Sequence, residues 1–167
     1  MATIKRLANS HFVALAALLV TVAGCGGAGG ASSLNSDARL VLTAGAGYNG
    51  SSVRLSAKPS ASVTNGATVV LVSQGARTFV ISLPTASPQN GAVYTVGQNG
   101  TSARYSEAVL GSSDNVWNGT GGTISVRSLR NTLFLTVTGA TFVSDSTNGS
   151  QAQGTFSASG TVNDVAF

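Results

Sequence analysis

Hydrophobic and polar residues alternate along most of the chain after residue 37, as in β-strands that bury one face. Residues 78–83 read TFVISL, so Phe79, Ile81 and Leu83 share one face of a predicted strand. Comparable short segments are 39–43, 53–57, 92–96, 103–107, 123–126, 133–138 and 155–162. A convincing apolar stripe at the helical period of 3.6 residues is missing from this part of the sequence, so the pattern predicts an all-β protein.

One segment departs from strict alternation. Residues 68–73 read TVVLVS, which is a continuous run rich in β-branched residues. Such a run is typical of a strand that is covered on both faces, so we expect residues 68–73 to be buried on both sides.

Turn-forming residues separate the predicted strands. Asn-Gly, which favours tight turns with positive φ, occurs six times, and the three prolines lie between predicted strands. The GQNG sequence at 97–100 predicts a hairpin between segments 92–96 and 103–107. We therefore predict one antiparallel all-β domain over residues 37–167, built as a β-sandwich or as a small open barrel.

The N-terminal region follows a different pattern. Lys5 and Arg6 precede an unbroken apolar run at 12–20, which reads FVALAALLV. The run is shorter than the roughly 20 apolar residues that a membrane-spanning helix needs. A short basic segment followed by an apolar run of this length is typical of a secretory signal peptide, and we assign residues 1–24 to one.

The apolar run ends in the sequence Val22-Ala23-Gly24-Cys25, which contains the only cysteine of the chain. This ending resembles the lipobox of bacterial lipoproteins. The resemblance implies cleavage between Gly24 and Cys25, attachment of a diacylglyceryl group to the Cys25 thiol, and a membrane as the partner of that lipid. An ordinary signal peptide followed by an unpaired cysteine is the alternative.

Glycine, alanine and serine dominate residues 26–36, so we interpret residues 25–36 as the lipidated cysteine and a flexible tether. Aspartate after the cysteine resembles a signal for retention in the inner membrane, whereas this chain has Gly26 there. The expected location is therefore the cell envelope, and the outer membrane where the organism has one.

Composition narrows the classes of function. Without the signal peptide the chain has seven basic and five acidic residues, and the arginines are dispersed, so we do not expect nucleic-acid binding. The only histidine, His11, lies in the signal peptide. Histidine-dependent triads, Cys-His dyads and the usual zinc sites therefore cannot form in the mature chain. We predict a protein that is not an enzyme and has no cofactor, although dispersed carboxylates leave a hydrolase as a minor alternative.

Aromatic residues provide the candidate ligand site. Trp117, in a glycine-rich segment expected to be a turn, could stack on a sugar ring, and Tyr94 and Tyr105 flank the predicted hairpin nearby in sequence. The alternative, which we favour, is packing at one end of the core for Trp117 and cross-strand packing for the two tyrosines.

Calcium is the metal with the most suitable side chains in this sequence. Asp114 with Asn115, and Asp145 with Asn148, offer oxygen atoms. Neither pair has the EF-hand spacing, and Asp and Asn are common in turns, so the prediction is turn formation and no metal site.

The C-terminal half gives a second resemblance. The sequence WNGTGGTISVRSLRNTLFLTVTGATFV, followed by GTFSASGTV, is similar to a module of small exported β-rich lipoproteins. Those families are largely uncharacterised, so the resemblance bears on fold and location. We predict a lipid-anchored envelope protein with a non-catalytic β-domain in an interaction or structural role. A small-molecule or carbohydrate-binding lipoprotein is the alternative.

Overall fold

The computed structural model describes residues 36–51 and 53–167. The predicted signal peptide, the predicted cleavage and lipidation site at Gly24 and Cys25, and nearly all of the predicted tether lie outside the described residues. Ten strands form the described part of the chain: β1 (Asp37–Ala44), β2 (Arg54–Ala57), β3 (Pro59–Thr64), β4 (Ala67–Gln74), β5 (Arg77–Leu83), β6 (Val93–Thr95), β7 (Ser102–Glu107), β8 (Asn115–Leu129), β9 (Thr132–Asp145) and β10 (Thr155–Ala166). A 3₁₀ turn at Thr147–Gly149 precedes β10. The all-β prediction is confirmed.

All the strand pairs are antiparallel, and they form one sheet in the order β2-β1-β10-β9-β8-β7-β5-β4-β3, with β6 also paired to β8. The two outermost strands are consecutive in sequence, since only Lys58 separates β2 from β3. The segment 54–64 therefore pairs with β1 through its first half and with β4 through its second half, which nearly closes the sheet into a barrel. The backbone N–H of Ser56 donates to Oε1 of Gln74 at 3.1 Å and bridges β2 to β4 across the seam.

The barrel has two different ends. β1 begins at one end, where Asp37 pairs with Asn163, and reaches the other at Ala44, which pairs with Phe156. We call the first the tether end, because the predicted tether leads into β1 there. We call the second the loop end, since it carries the connections 45–53, 108–114 and 146–154. A fourth long connection, 84–92, leaves β5 at the tether end. The strand directions place the turns 65–66 and 130–131 at the tether end.

The interior is filled by the inward face of each strand. The predicted alternation is correct for Phe79, Ile81 and Leu83, which are fully buried. The expectation that residues 68–73 are covered on both faces is wrong: Val70 and Val72 point inward, whereas Leu71 is 38% exposed. The β-branched run therefore correctly indicates a strand but does not indicate burial of both faces. A strand of this barrel has one face toward the core and the other toward solvent.

The predicted hairpin between segments 92–96 and 103–107 does not form. The turn itself is present, and the N–H of Gly97 donates to the carbonyl of Thr101 at 3.0 Å. However, β6 and β7 do not pair with each other, and both pair with β8, where Val93 lies opposite Ser125 and Tyr105 opposite Trp117. β8 is 15 residues long, so its edge accommodates two short strands end to end.

The glycine-rich segment around Trp117 is not a turn. It belongs to β8, which begins at Asn115 rather than at Thr123 as predicted. The ladder to β9 is interrupted by register shifts around Gly121. Gly122 has φ +87°, and a Cβ on it would collide with the Cα of Ala140. The glycines thus allow two strands to approach each other closely. A glycine-rich composition alone does not distinguish such a close approach from a turn.

The prediction that Asn-Gly forms tight turns with positive φ is correct at some of the six Asn-Gly positions. Both residues have positive φ at Asn65-Gly66, Asn99-Gly100 and Asn148-Gly149, whereas Asn118-Gly119 lies within β8. Pro59 is not between strands as predicted, because it is the first residue of β3, a strand absent from the prediction. Proline is tolerated at a first strand position, where its missing N–H is not needed for the ladder.

Candidate functional site

The loop end contains a cluster of aromatic rings. Trp117 from β8 lies between Tyr105 from β7 and Tyr48 from the β1–β2 loop, with ring centroids 5.7 Å and 5.3 Å away. Phe156 on β10 contacts the rings of both tyrosines and stacks on Phe142 of β9 at 4.5 Å with parallel planes. Neighbouring strands of the barrel wall bring the other four rings together in the interior, and the half-buried ring of Tyr48 packs against them from the β1–β2 loop.

This burial corrects the expected stacking face. Trp117 and Tyr105 are 0% exposed, so neither ring offers a surface to a sugar in this structure. The indole Nε1–H of Trp117 donates to the carbonyl oxygen of Gln153 at 3.2 Å, which satisfies its polar group inside the protein. The structure therefore agrees with the favoured alternative, core packing of Trp117 and cross-strand packing of Tyr105.

Tyr94 occupies a different place. It lies on β6 opposite Ile124, half-buried against the core. Since β6 and β7 follow one another along β8, the structure brings Trp117 and Tyr105 together and leaves Tyr94 apart from them.

The carboxylate of Glu107 accepts two hydrogen bonds at the loop end. Its Oε1 accepts a hydrogen bond from the hydroxyl of Tyr105 at 2.6 Å and another from the backbone N–H of Ser51 at 3.1 Å. Burial, and then the hydrogen bond and negative charge of Glu107, raise the pKa of Tyr105 far above its ordinary value. Burial, with a smaller contribution from Glu107, raises the pKa of Tyr48 to about 12. Both phenols are neutral at physiological pH, and each hydroxyl already donates a hydrogen bond, that of Tyr105 to Glu107 and that of Tyr48 to the carbonyl of Ser51.

The long loops are tied to one another. Nδ2 of Asn49 donates to the carbonyl of Gln151 at 2.9 Å, and its Oδ1 accepts from the N–H of Gln153 at 2.8 Å. The amide of one asparagine thus joins the β1–β2 loop to the β9–β10 loop through two hydrogen bonds. Ser150 adds a link to β8, since its Oγ accepts from the N–H of Val116 at 3.0 Å. The β1–β2 and β9–β10 loops are consequently held to each other and to β8.

Three of the four residues considered for calcium, Asp114, Asp145 and Asn148, line one cavity of about 190 Å³, and Arg104 lines it as well. Oδ1 of the fourth, Asn115, accepts from the N–H of Gln151. Oδ1 of Asp145 accepts from the N–H and the hydroxyl of Thr147, and Oδ2 accepts from Asn118 at 2.9 Å. These bonds, led by that from the Thr147 hydroxyl, lower the pKa of Asp145. One carboxylate oxygen therefore holds the turn at Thr147, and the other holds Asn118 on β8. In residues 36–51 and 53–167, no three His, Cys, Asp or Glu side chains lie close enough to hold a metal ion.

Sequence reasoning missed three residues of this site: Tyr48, Asn49 and Glu107. Their partners are distant in sequence, with 102 positions between Asn49 and Gln151 and 56 between Ser51 and Glu107. Asn49-Gly50 was visible as a turn signal, but nothing local indicates that the asparagine binds another loop.

Comparison with protein-family models, curated proteins and solved structures returned no match. Within the part of the chain that the structure describes, no helix has the length and apolarity required to cross a membrane.

Proposed function

We propose that this protein is a lipid-anchored component of the bacterial cell envelope whose β-barrel acts without catalysis, in an interaction or structural role. The sequence VAGC at 22–25, behind a basic segment and an apolar run, supports the anchor. The proposed location is the outer membrane where one exists, because Gly26 follows the cysteine.

The direction of β1 carries the functional part of the proposal. An anchor on Cys25 connects to the barrel at Asp37, so the loop end lies at the far end of β1 from the attachment. β9 has 14 residues, and a strand of that length spans about 45 Å. A lipid-anchored barrel of this topology is thus able to present its loops away from the membrane that holds it.

The loop end also has the features of a recognition surface. The hydrogen bonds of Asn49 and Glu107 fix the β1–β2 and β9–β10 loops, so little conformational entropy is lost in these two loops when a partner binds. Leu110 at the tip of the β7–β8 loop is fully exposed, and Val109 beside it is 38% exposed. Loops on a rigid scaffold commonly carry binding functions.

The carbohydrate-binding alternative receives no support from Trp117 and Tyr105, because both rings are buried. A stacking site there requires the β1–β2 loop, with Tyr48, to move away from the indole.

The anchor is tested by labelling cells with radioactive palmitate and fractionating their membranes. We expect the natural chain to incorporate palmitate and to remain with the membranes, and Cys25→Ser to do neither. Ser32→Ala in the predicted tether is the matched control and should behave like the natural chain. Membrane retention and labelling of Cys25→Ser would disprove the anchor.

The recognition role of the loops is tested by photo-cross-linking in intact cells. A photoreactive amino acid replaces Leu110 at the loop end or Ser73 on the barrel wall, both of which are exposed. We expect a discrete cross-linked product from position 110 only. Equal, diffuse cross-linking from the two positions would contradict a specific loop-end partner.

A further inference from the structure

The tether end carries an exposed surface that combines apolar and basic side chains. Val93 on β6 and Leu129 at the end of β8 are 63% and 64% exposed. Arg127 lies between them on the outer face of β8, and Arg130 follows in the β8–β9 turn. Phe134 of β9 lies opposite Arg127, whose guanidinium carbon is 4.3 Å from the centre of its ring. We call Val93, Arg127, Leu129, Arg130 and Phe134 the tether-end patch.

The tether-end patch lies close to the point where the chain leaves the barrel. A surface groove of about 260 Å³ runs beside Arg127 and Phe134 and is also lined by Asn163. Nδ2 of Asn163 donates to Oδ1 of Asp37, the first residue of β1, at 2.9 Å. The groove is therefore separated from the start of β1 by a single hydrogen-bonded pair of side chains.

Chain length limits how far this surface can lie from the anchor. Residues 26–36 are the eleven that follow Cys25 before β1 begins. Even fully extended, eleven residues span no more than about 40 Å. A lipid on Cys25 is therefore joined through at most about 40 Å of chain to Asp37, which lies at the tether end of β1.

The charge of the patch is complementary to an anionic lipid surface. Arg127 and Arg130 are exposed and form part of the tether-end patch itself. Two acids lie beside the groove-lining Asn163: Asp37 pairs with it on β1, and Asp164 follows it on β10. Asp37 accepts hydrogen bonds from Asn163 and Arg39, so its charge is partly balanced within the protein. Each arginine near an anionic membrane surface favours contact, and exposed Leu and Val side chains enter the interfacial region.

From these observations we infer that the tether-end patch docks on anionic phospholipid headgroups of the membrane that holds the anchor. The inference rests on the proposed lipidation of Cys25, and it adds a second contact that fixes the orientation of the barrel. Arg127 and Arg130 bind lipid phosphates, Val93 and Leu129 enter the interface, and the loop end points away from the bilayer.

Two exposed leucines make a matched test, because Leu129 lies at the tether end and Leu110 at the loop end. The full-length protein with Leu129→Cys or Leu110→Cys is produced in bacteria, and its acylation is measured with palmitate. Lipidation blocks the thiol of Cys25, the only native cysteine, so an environment-sensitive fluorophore attaches only to the introduced thiol. The protein is then reconstituted in vesicles of phosphatidylcholine with phosphatidylglycerol. We expect blue-shifted emission and protection from iodide at position 129, and neither at position 110.

Charge removal tests the role of the arginines. The double substitution Arg127→Gln with Arg130→Gln should lower the ratio of docked to undocked barrel about thirtyfold. This is the effect expected when two basic residues close to an anionic membrane surface are removed. Arg54→Gln with Arg104→Gln removes the same charge elsewhere and should leave the emission at position 129 unchanged. Arg127→Lys with Arg130→Lys should restore docking, and vesicles of phosphatidylcholine alone should abolish it.

The outcomes separate the two proposals. Absence of palmitate from the natural chain would overturn both the anchor and the docking surface. Normal acylation with position 129 as accessible to iodide as position 110 would overturn the docking surface alone. Blue-shifted emission from position 110 instead of 129 would also overturn it, because the barrel would then face the membrane with its loops. Emission of Trp117 checks that each variant is folded.

Discussion

The ring of Tyr48 lies 5.3 Å from the indole ring of Trp117, so a residue of the β1–β2 loop covers the only tryptophan of the protein. Tyr48 contacts Phe156 at a similar distance, 5.2 Å, and its hydroxyl donates to the carbonyl of Ser51 at 3.2 Å. The burial of Trp117 thus depends partly on a loop, and this dependence is measurable.

Removal of the Tyr48 ring should uncover the indole. We expect Tyr48→Ala to shift the emission of Trp117 to longer wavelength and to increase its quenching by acrylamide, because water reaches one face of the ring. Loss of two aromatic contacts should also destabilise the protein by about 1–3 kcal/mol. Tyr48→Phe, which keeps the ring, is the control. Unchanged quenching in Tyr48→Ala would show that the loop does not shield Trp117.

High pH should act through the same residue. The pKa of Tyr48 is about 12 in the folded protein, above its ordinary value of 10.0. A raised folded-state pKa means that the stabilisation is complete below the unfolded value and is lost as the pH rises through the folded one. We therefore expect the free energy of unfolding to fall between about pH 10 and 12. Tyr48→Phe should show a smaller fall over that range in denaturant titrations, and an identical fall would contradict the assignment.

Asn49 is exposed, yet its side-chain amide should contribute measurably to the stability of the protein. Its two hydrogen bonds to Gln151 and Gln153 join two loops, and such bonds contribute about 1 kcal/mol each. We expect Asn49→Ala to lower the free energy of unfolding by about 1–2 kcal/mol in urea denaturation. Amide hydrogen exchange should also accelerate in both loops. Asn131→Ala, an exposed asparagine in the β8–β9 turn, is the matched control and should change neither loop.

Close approach of β8 and β9 should make Gly122 far less replaceable than a neighbouring glycine. Gly139 also has positive φ, +55°, but a Cβ there would meet nothing within 4 Å. We expect Gly139→Ala to cost about 1–2 kcal/mol through backbone strain alone. Gly122→Ala should cost more, because its Cβ also collides with the backbone of Ala140. Equal melting temperatures for the two variants would contradict this packing.

The sequence predicted the strands well where one face is buried. The alternation of Phe79, Ile81 and Leu83 survives in the structure because only one side of β5 faces the core. Alternation was less informative where glycines allow two strands to approach, as around Gly122. Glycine is required there because the backbone of a residue distant in sequence lies close to it, and the local sequence carries no information about that contact.

By itself the sequence determined the strand class, the turns at Asn65, Asn99 and Asn148, and the order of basic segment, apolar run and cysteine that predicts an anchor at Cys25. These are local properties, set by neighbouring side chains. Only the tertiary structure decided that Tyr48 covers Trp117, that Asn49 joins two loops and that Arg127 and Leu129 lie at the end of the barrel where β1 begins. The physical reason is that pairing between strands distant in sequence fixes these neighbours, and strand pairing depends on the register of the whole sheet.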